Sequence, residues 1–137
     1  MAGEFDLIRD YFQGATATRA DVALGIGDDC ALLSVPPGRQ LAVSMDTLVC
    51  GRHFLPDVDP ESLGHKALAV NLSDLAAMAA RPLTALVSIA LPRQAAQRLA
   101  REIYEGLLSL AEQFEVTLAG GDTNCWSGPL VISVTLV

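Results

Sequence analysis

Acidic side chains interrupt apolar segments at several places in this sequence, where an ionised carboxylate is costly to accommodate. Asp28 and Asp29 are adjacent in GIGDDCA, Asp46 lies in VSMDTLV, Asp74 in NLSDLAAM and Asp122 in AGGDTN. A carboxylate is almost never buried without a partner, because it loses its hydration there. Mg²⁺ takes oxygen ligands and commonly bridges carboxylates to substrate phosphates. Taken together, these segments indicate a metal-dependent site that handles phosphate.

Each carboxylate also has a purely structural interpretation. Asp74 could lie at a polar seam of its helix or accept a backbone N–H, and Asn71, three residues earlier, shares its face. Asp46 could end a strand in a turn, and strand alternation would place it on the same face as Ser44. GGD is common in turns, although two glycines before Asp122 would let the backbone approach a phosphate and donate its amides. GGD and GDD are weak signals alone, and the combination of all these carboxylates favours metal binding more strongly than any one of them.

The net charge of the chain limits the kinds of ligand that it could bind. The chain of 137 residues carries a net charge of −7, which argues against a nucleic-acid partner, since that would need a basic face. Lys66 is the only lysine and lies in LGHKALAV, so the sequence contains no P-loop. Charge neutralisation at a phosphate would therefore depend on metal ions, with little covalent chemistry by the protein.

The length and the hydrophobic content of 51% predict one domain with a substantial core. Cys30, Cys50 and Cys125 are odd in number and widely spaced, which fits neither a disulfide framework nor a zinc site. They indicate small core or near-core residues of a cytoplasmic protein. The sequence shows no signal peptide and no apolar run of about 18 residues, so we expect no membrane span.

The elements that must position the carboxylates alternate between strands and helices. Apolar residues at helical spacing predict a short helix over 4–13 and a long amphipathic helix over 93–114. A further helix is predicted over 60–80, because Asp59 suits the N-cap and Pro60 the first helical position. This order predicts an α+β fold, a mixed β-sheet with two long helices on one face. Strands are expected at 31–35, 40–49, 84–91, 116–120 and 130–137.

Motifs along the chain resemble a known family. GEFDLI, GIGDDCALL, HFLPD, KALAVNLSDLAAM and GGDT occur in the order and roughly the spacing of the amino-terminal half of the thiamine-monophosphate kinase family. That family belongs to the superfamily of aminoimidazole ribonucleotide synthetase and selenophosphate synthetase. GDD or GGD alone would be weak, but their combination with HFLPD and NLSDLAAM is specific. The resemblance runs from Glu4 to the end, and GGDTNCW departs from the family pattern after Thr123.

The resemblance also concerns domain organisation, because the family has a second, carboxy-terminal domain with no counterpart here. This chain stops inside a strong strand pattern, which indicates a piece of a longer protein. We therefore expect residues 1–137 to form an amino-terminal, ATP- and Mg²⁺-binding and dimerisation domain. The family implies a homodimer in which two such sheets pair into a barrel, with the active site close to the interface.

The resemblance implies an enzyme of thiamine diphosphate biosynthesis. It would transfer the γ-phosphoryl group of ATP to thiamine monophosphate, with Mg²⁺ ions between the two anionic partners. Transfer would be direct, so no covalent catalytic residue is expected. Neither nucleic acid nor a membrane is expected as a partner, and the expected location is cytoplasmic.

The same resemblance assigns roles to individual residues. Tyr104 would lie near the nucleotide, Gly121 against its phosphates and His53 against the substrate, although Tyr104 could equally be a packing tyrosine and His53 a plain loop residue. The implied metal ligands are Asp29 with Asp28 beside it, Ser44, Met45 through its backbone carbonyl, Asp46, Asp74 as a ligand shared between ions, and Asp122 for a nucleotide-bound ion.

Two other functions stay open at this point. One is another ATP-dependent enzyme of the same superfamily that acts on a different anionic substrate, although HFLPD favours the thiamine enzyme. The other is a non-catalytic nucleotide-binding and dimerisation module, because full activity should need the missing domain. An assay of ADP formation with thiamine monophosphate distinguishes these functions.

Overall fold

The computed structural model describes residues 19–26 and 29–137, so the helix expected at 4–13 and the site residue Asp28 lie outside the described residues. Two small strands, β1 (Val22–Leu24) and β2 (Leu32–Leu33), pair antiparallel. The larger sheet and its helices follow in the order β3 (Ser44–Val49), α1 (Pro60–Ala77), β4 (Thr84–Pro92), a 3₁₀ turn (Arg93–Ala95), α2 (Ala96–Gln113), β5 (Thr117–Trp126) and β6 (Val131–Leu136).

The larger sheet is mixed and has the order β3-β6-β4-β5. β6 runs antiparallel to both β3 and β4, while β5 is parallel to β4, so β3, β4 and β5 share one direction. Strands that share a direction need a crossover, and α1 and α2 supply the two crossovers. The helices pack against each other and against the sheet, which confirms the predicted α+β fold with both helices on one face.

Strand alternation separates a core face from an open face. In β4, Val87 and Ile89 are buried beneath the helices, whereas Leu86 and Ser88 point the other way and are exposed. Met45 in β3 lies on this other face and is 66% exposed. In the part of the chain that the structure describes, this open face carries no helix.

Helices α1 and α2 meet backbone to backbone at two glycines. A Cβ atom on Gly64 would lie 1.8 Å from the carbonyl oxygen of Ile103, and one on Gly106 would lie 1.9 Å from that of Glu61. Any side chain at either position would therefore push the helices apart. The close crossing lets both helices fit over one four-stranded sheet.

Helix α1 begins as predicted and ends earlier. The Asp59 carboxylate caps it by accepting from the Ser62 N–H at 2.8 Å, and hydrogen bonds from Ser62 hold the pKa of Asp59 below its ordinary value. The helix ends at Ala77 because Ala79 takes a left-handed φ of 52° and Ala80 bonds back to the Leu75 carbonyl at 2.9 Å. The prediction of helix to residue 80 was therefore too long.

The observed ends of the strands differ from the predicted ones near glycine and proline residues. β5 runs on to Trp126, so Gly121 and Asp122 lie inside a strand and not in a turn. Position 121 must be glycine, because a Cβ atom there would lie 1.8 Å from the Val87 carbonyl oxygen in β4. The strands predicted at 31–35 and 40–49 shrink to β2 and β3, since the prolines and glycine at 36–38 form an exposed turn between them.

The cysteines do not belong to the core. Cys30 and Cys125 are exposed, Cys50 is partly buried, and all of them are free thiols. The expectation of near-core residues therefore holds only for Cys50. Among the described residues, neither long helix has the length and apolar character needed to cross a bilayer.

We predict that Gly64→Ala lowers the free energy of unfolding by about 2 kcal/mol or more, because the new methyl group would overlap the Ile103 carbonyl. Ser73→Ala, on the exposed side of the same helix, is the matched control and should change it by less than about 0.5 kcal/mol. Urea denaturation followed by circular dichroism measures both. Equal stability of Gly64→Ala and wild type would show that the helices do not approach so closely.

Candidate functional site

Strand β3 and helix α1 bring three of the expected oxygen ligands together. Ser44 Oγ donates a hydrogen bond to Asp74 Oδ2 at 2.9 Å. Asp46 lies two residues further along β3 and therefore on the same side as Ser44, at about 6.6 Å between Cα atoms. Met45 points to the open face, so only its backbone could take part. The grouping of Ser44, Asp46 and Asp74 is called the β3–α1 cluster below.

Within the described residues, the carboxylates of Asp46, Asp74 and Asp122 form no ion pair with a protein cation. Among the described residues, the ion pairs involve other side chains. The single lysine, Lys66, donates instead to the His53 carbonyl at 2.8 Å. Asp74 is also exposed, because α1 buries one side and leaves the other open.

The donor set of the β3–α1 cluster fits a hard cation. It consists of carboxylate and hydroxyl oxygens, the ligand type that Mg²⁺ prefers. Within residues 19–26 and 29–137, no three carboxylate, imidazole or thiol residues converge closely enough to hold a metal by themselves. An ion there would therefore need water or phosphate oxygens to complete its shell, as is usual for Mg²⁺.

A buried amide lies one turn before Asp74. Asn71 is 0% exposed, and its Nδ2 donates to the Ala67 carbonyl at 3.1 Å. Its Oδ1 is buried and has no hydrogen-bond partner among residues 19–26 and 29–137. An unpaired buried acceptor costs about 1–3 kcal/mol, so Asn71 reduces stability unless another group satisfies it.

Asp122 stands apart from the β3–α1 cluster. Pairing across the sheet aligns Asp46 with Val134, Val87 and Gly121. Asp122 belongs to the next row, so its side chain points to the open face, whereas Asp46 points to the helix side. Three strand spacings, about 14 Å, also separate the two edge strands. One ion cannot therefore bind the side chains of both Asp46 and Asp122 in a single copy of this fold.

His53 lies in the loop after β3, with its ring orientation fixed. Its Nδ1 accepts from the Val49 N–H at 3.0 Å, which leaves Nε2 as the free ring nitrogen. Its carbonyl holds the Lys66 ammonium group. Beside it lies an apolar cavity of about 320 Å³, whose lining includes Cys50, Phe54, Val58, Leu63, Leu99 and Leu130. Sequence reasoning missed this cavity, because its walls come from four separate segments.

Tyr104 is a core residue of α2 and is only 4% exposed. Burial raises the pKa of its hydroxyl above the ordinary value, so the group stays protonated near neutral pH. The packing role that sequence reasoning allowed for it is confirmed. A contact with a nucleotide stays a prediction.

Asp29 is exposed in the segment between β1 and β2. Arg19 ties this strand pair to the domain: its Nε and Nη2 donate to the Asp21 carboxylate at 2.8 and 3.0 Å, and its Nη1 donates to the Glu115 carbonyl at 2.8 Å. The hydrogen bonds from Arg19 lower the pKa of Asp21. Arg19 thus joins the start of β1 to the segment after α2, a contact that sequence reasoning did not single out.

Comparison with known proteins identifies the family. A family model described as AIR synthase related protein, N-terminal domain, matches residues 27–137. The chain belongs to the AIR synthase related protein family. It is 50% identical over 134 residues to thiamine-monophosphate kinase of Escherichia coli (strain K12), which confirms the resemblance drawn from the motifs. That match covers 98% of this chain and 40% of the relative, so the chain spans about two-fifths of its length.

Solved members of the AIR synthase related family agree with the fold. Thiamine-monophosphate kinase from Stenotrophomonas maltophilia K279a matches with a TM-score of 0.82 at 43% identity, over 98% of this chain and 41% of that one. A structure called AaThiL, complexed with AMPPCP and TMP, matches with a TM-score of 0.65 at 28% identity, over 98% of this chain and 41% of that one. The shared architecture thus extends to a protein with both ligands bound.

We predict that Asn71→Leu leaves the free energy of unfolding unchanged or raises it by about 1 kcal/mol, because leucine removes the unpaired Oδ1. The Ala67 carbonyl keeps its helical hydrogen bond, so no new unpaired group appears. Asn71→Asp, of nearly the same shape, should destabilise strongly because it buries a charge. Urea denaturation measures both. A loss of more than about 2 kcal/mol in Asn71→Leu would show that Oδ1 has a partner in solution.

Proposed function

We propose that residues 1–137 form the amino-terminal, ATP- and Mg²⁺-binding domain of a thiamine-monophosphate kinase. The whole protein would transfer the γ-phosphoryl group of ATP to thiamine monophosphate. The observation that carries the proposal is 50% identity to a thiamine-monophosphate kinase over 98% of this chain. The β3–α1 cluster, with oxygen donors and no neighbouring protein cation, supports it chemically.

Metal ligands are proposed on both sides of the sheet. On the helix side, Asp46 and Asp74 would hold Mg²⁺, with Ser44 orienting Asp74 through its hydrogen bond. On the open face, Asp122 would bind a separate ion carried by the nucleotide. Asp28, Asp29 and the Met45 carbonyl are further proposed ligands. When bound, Mg²⁺ screens the repulsion between the two phosphate-bearing reactants.

The transfer would need no protein nucleophile and no general base. The acceptor is a phosphate oxygen, largely ionised at pH 7 because the second pKa of a phosphate monoester is about 6. The chain's contribution would be to hold the donor and the acceptor in line and to stabilise the developing charge.

The substrate side is proposed at the loop after β3. His53 Nε2 and the Lys66 ammonium group would meet the phosphate of the acceptor. The neighbouring cavity of about 320 Å³ has the size and apolar walls that suit an aromatic ring system. The relative solved with AMPPCP and TMP supports two ligands on this fold.

A homodimer is proposed through the open face of the large sheet. The face is not covered by a helix in the described part of the chain and exposes Met45 and Leu86. Pairing with a second copy would bury these side chains and form the barrel implied by the resemblance. The expected cytoplasmic location stays a prediction.

We expect Mg²⁺-dependent binding of a non-hydrolysable ATP analogue to this chain, measured by isothermal titration calorimetry. Asp46→Asn should weaken binding at least tenfold, because it removes a charged ligand without changing the shape of the side chain. Glu112→Gln is the matched control, since it removes one exposed negative charge from the far end of α2. Binding that is unaffected by Mg²⁺ or by Asp46→Asn would contradict the proposed metal site.

The non-catalytic alternative is tested by turnover. We expect the chain alone, mixed with ATP, Mg²⁺ and thiamine monophosphate, to release ADP at a rate far below that of a full-length relative. Such a rate would fit a nucleotide-binding domain that needs the remaining three-fifths of the relatives' length. ADP release at the full-length rate would show that the chain is catalytic by itself.

A further inference from the structure

The four strands of the large sheet contain two acidic residues and no basic one. Their sequences are SMDTLV, TALVSIALP, TLAGGDTNCW and VISVTL, without lysine, arginine, histidine or glutamate. Asp46 points to the helix side of the sheet and Asp122 points to the open face. Asp122 is therefore the only charged side chain that these strands present on the open face.

The residues level with Asp122 on this face are uncharged hydroxyl residues. The register of the strands aligns Thr47, Ser133, Ser88 and Asp122 in one row across the sheet. Thr47 Oγ1 donates to Ser133 Oγ at 2.9 Å, so these two hydroxyl groups satisfy each other without solvent. A second surface could therefore cover most of the row at little electrostatic cost, and Asp122 is the exception.

Along β5, Asp122 has only a neutral hydrogen-bond donor beside it. Asp122, Asn124 and Trp126 are alternate residues and share the open face. Asn124 Nδ2 donates to Asp122 Oδ2 at 2.7 Å, which orients the carboxylate without balancing its charge. Asp122 is exposed in the single chain, so water solvates the carboxylate there.

A homodimer through the open face would change the surroundings of Asp122. A two-fold interface uses the same patch on both copies, so the strands of the second copy would bring no cation and one more carboxylate. Burial of an ionised carboxylate without a compensating charge is strongly unfavourable. The two copies, each with a net charge of −7, also repel each other. The charge of Asp122 must then be balanced by an ion from solution.

We infer that assembly of the open-face homodimer is coupled to the binding of a divalent cation at Asp122. The inference rests on the proposed function, which supplies the homodimer and its face. Carboxylate oxygens are ligands that Mg²⁺ takes, with water completing its shell. The coupling is reciprocal, so the cation binds the dimer more tightly than the monomer by the same factor that it tightens the dimer.

The test measures the oligomeric state of this chain by sedimentation velocity over a series of protein concentrations. One sample contains Mg²⁺, and the other contains NaCl at the same ionic strength. Mg²⁺ should lower the dimer dissociation constant at least about tenfold relative to NaCl, because a monovalent salt only screens the charges. Equal dissociation constants in the two salts would contradict the coupling.

Three charge-removing variants locate the effect of Mg²⁺. Asp122→Asn keeps the shape of the side chain, so it should dimerise in NaCl at least about tenfold more tightly than wild type and respond little to Mg²⁺. Asp46→Asn removes the carboxylate on the helix side, and Glu112→Gln removes an exposed one at the end of α2. Both should keep the Mg²⁺ response of wild type. Circular dichroism checks that each variant is folded.

A charge placed elsewhere on the open face separates this inference from the proposed homodimer. Leu86 is 37% exposed on that face, so Leu86→Glu should make both wild type and Asp122→Asn monomeric. If wild type dimerises equally in both salts and Leu86→Glu dissociates it, the homodimer stands and the coupling is refuted. A wild-type Mg²⁺ response in Asp122→Asn would refute the coupling too, because the cation would then act elsewhere. If wild type and Asp122→Asn stay monomeric, or if Leu86→Glu leaves the dimer intact, the proposed homodimer and this inference both fail.

Discussion

The architecture depends on the direct backbone contact between the two helices at Gly64 and Gly106. With no side chain between them, both helices fit side by side over one face of a four-stranded sheet. The position of α1 over β3 in turn brings Asp74 within 2.9 Å of Ser44. The geometry of the β3–α1 cluster is thus a consequence of helix packing, and the other face of the sheet stays free.

Electrostatics divides the candidate site into two parts. The carboxylates of the β3–α1 cluster and of Asp122 lie on opposite faces, and in the described part of the chain neither part forms an ion pair with a protein cation. The Lys66 ammonium group, carried by α1, lies instead against the His53 carbonyl in the loop after β3. A protein with a net charge of −7 can attract phosphates only where such ions or groups reverse the local potential.

The sequence interpretation and the structure differ where a contact with a distant part of the chain, and not the local pattern, decides the conformation or the exposure of a residue. GGD is common in turns, but here it lies inside β5, and position 121 must be glycine because the β4 backbone approaches too closely for any side chain. Helix α1 carries alanines on both sides: Ala67 is buried, whereas Ala76 and Ala77 are exposed. Amino-acid type alone does not show which alanines face water, since they pack on a core or stay exposed at little cost.

The sequence by itself determined the α+β class, both long helices, the main strands and the family, because periodicity and motifs are local properties that the chain carries in any conformation. It also determined that Ser44 and Asp46 share a face, since strand alternation is covalent geometry. Only the tertiary structure decided that Asp122 faces away from Asp46, that Tyr104 is buried, and that Asp122 and Trp126 form one row. These three features depend on sheet register and helix packing. Both bring together residues that are far apart in the chain, so no periodic pattern in the sequence indicates them.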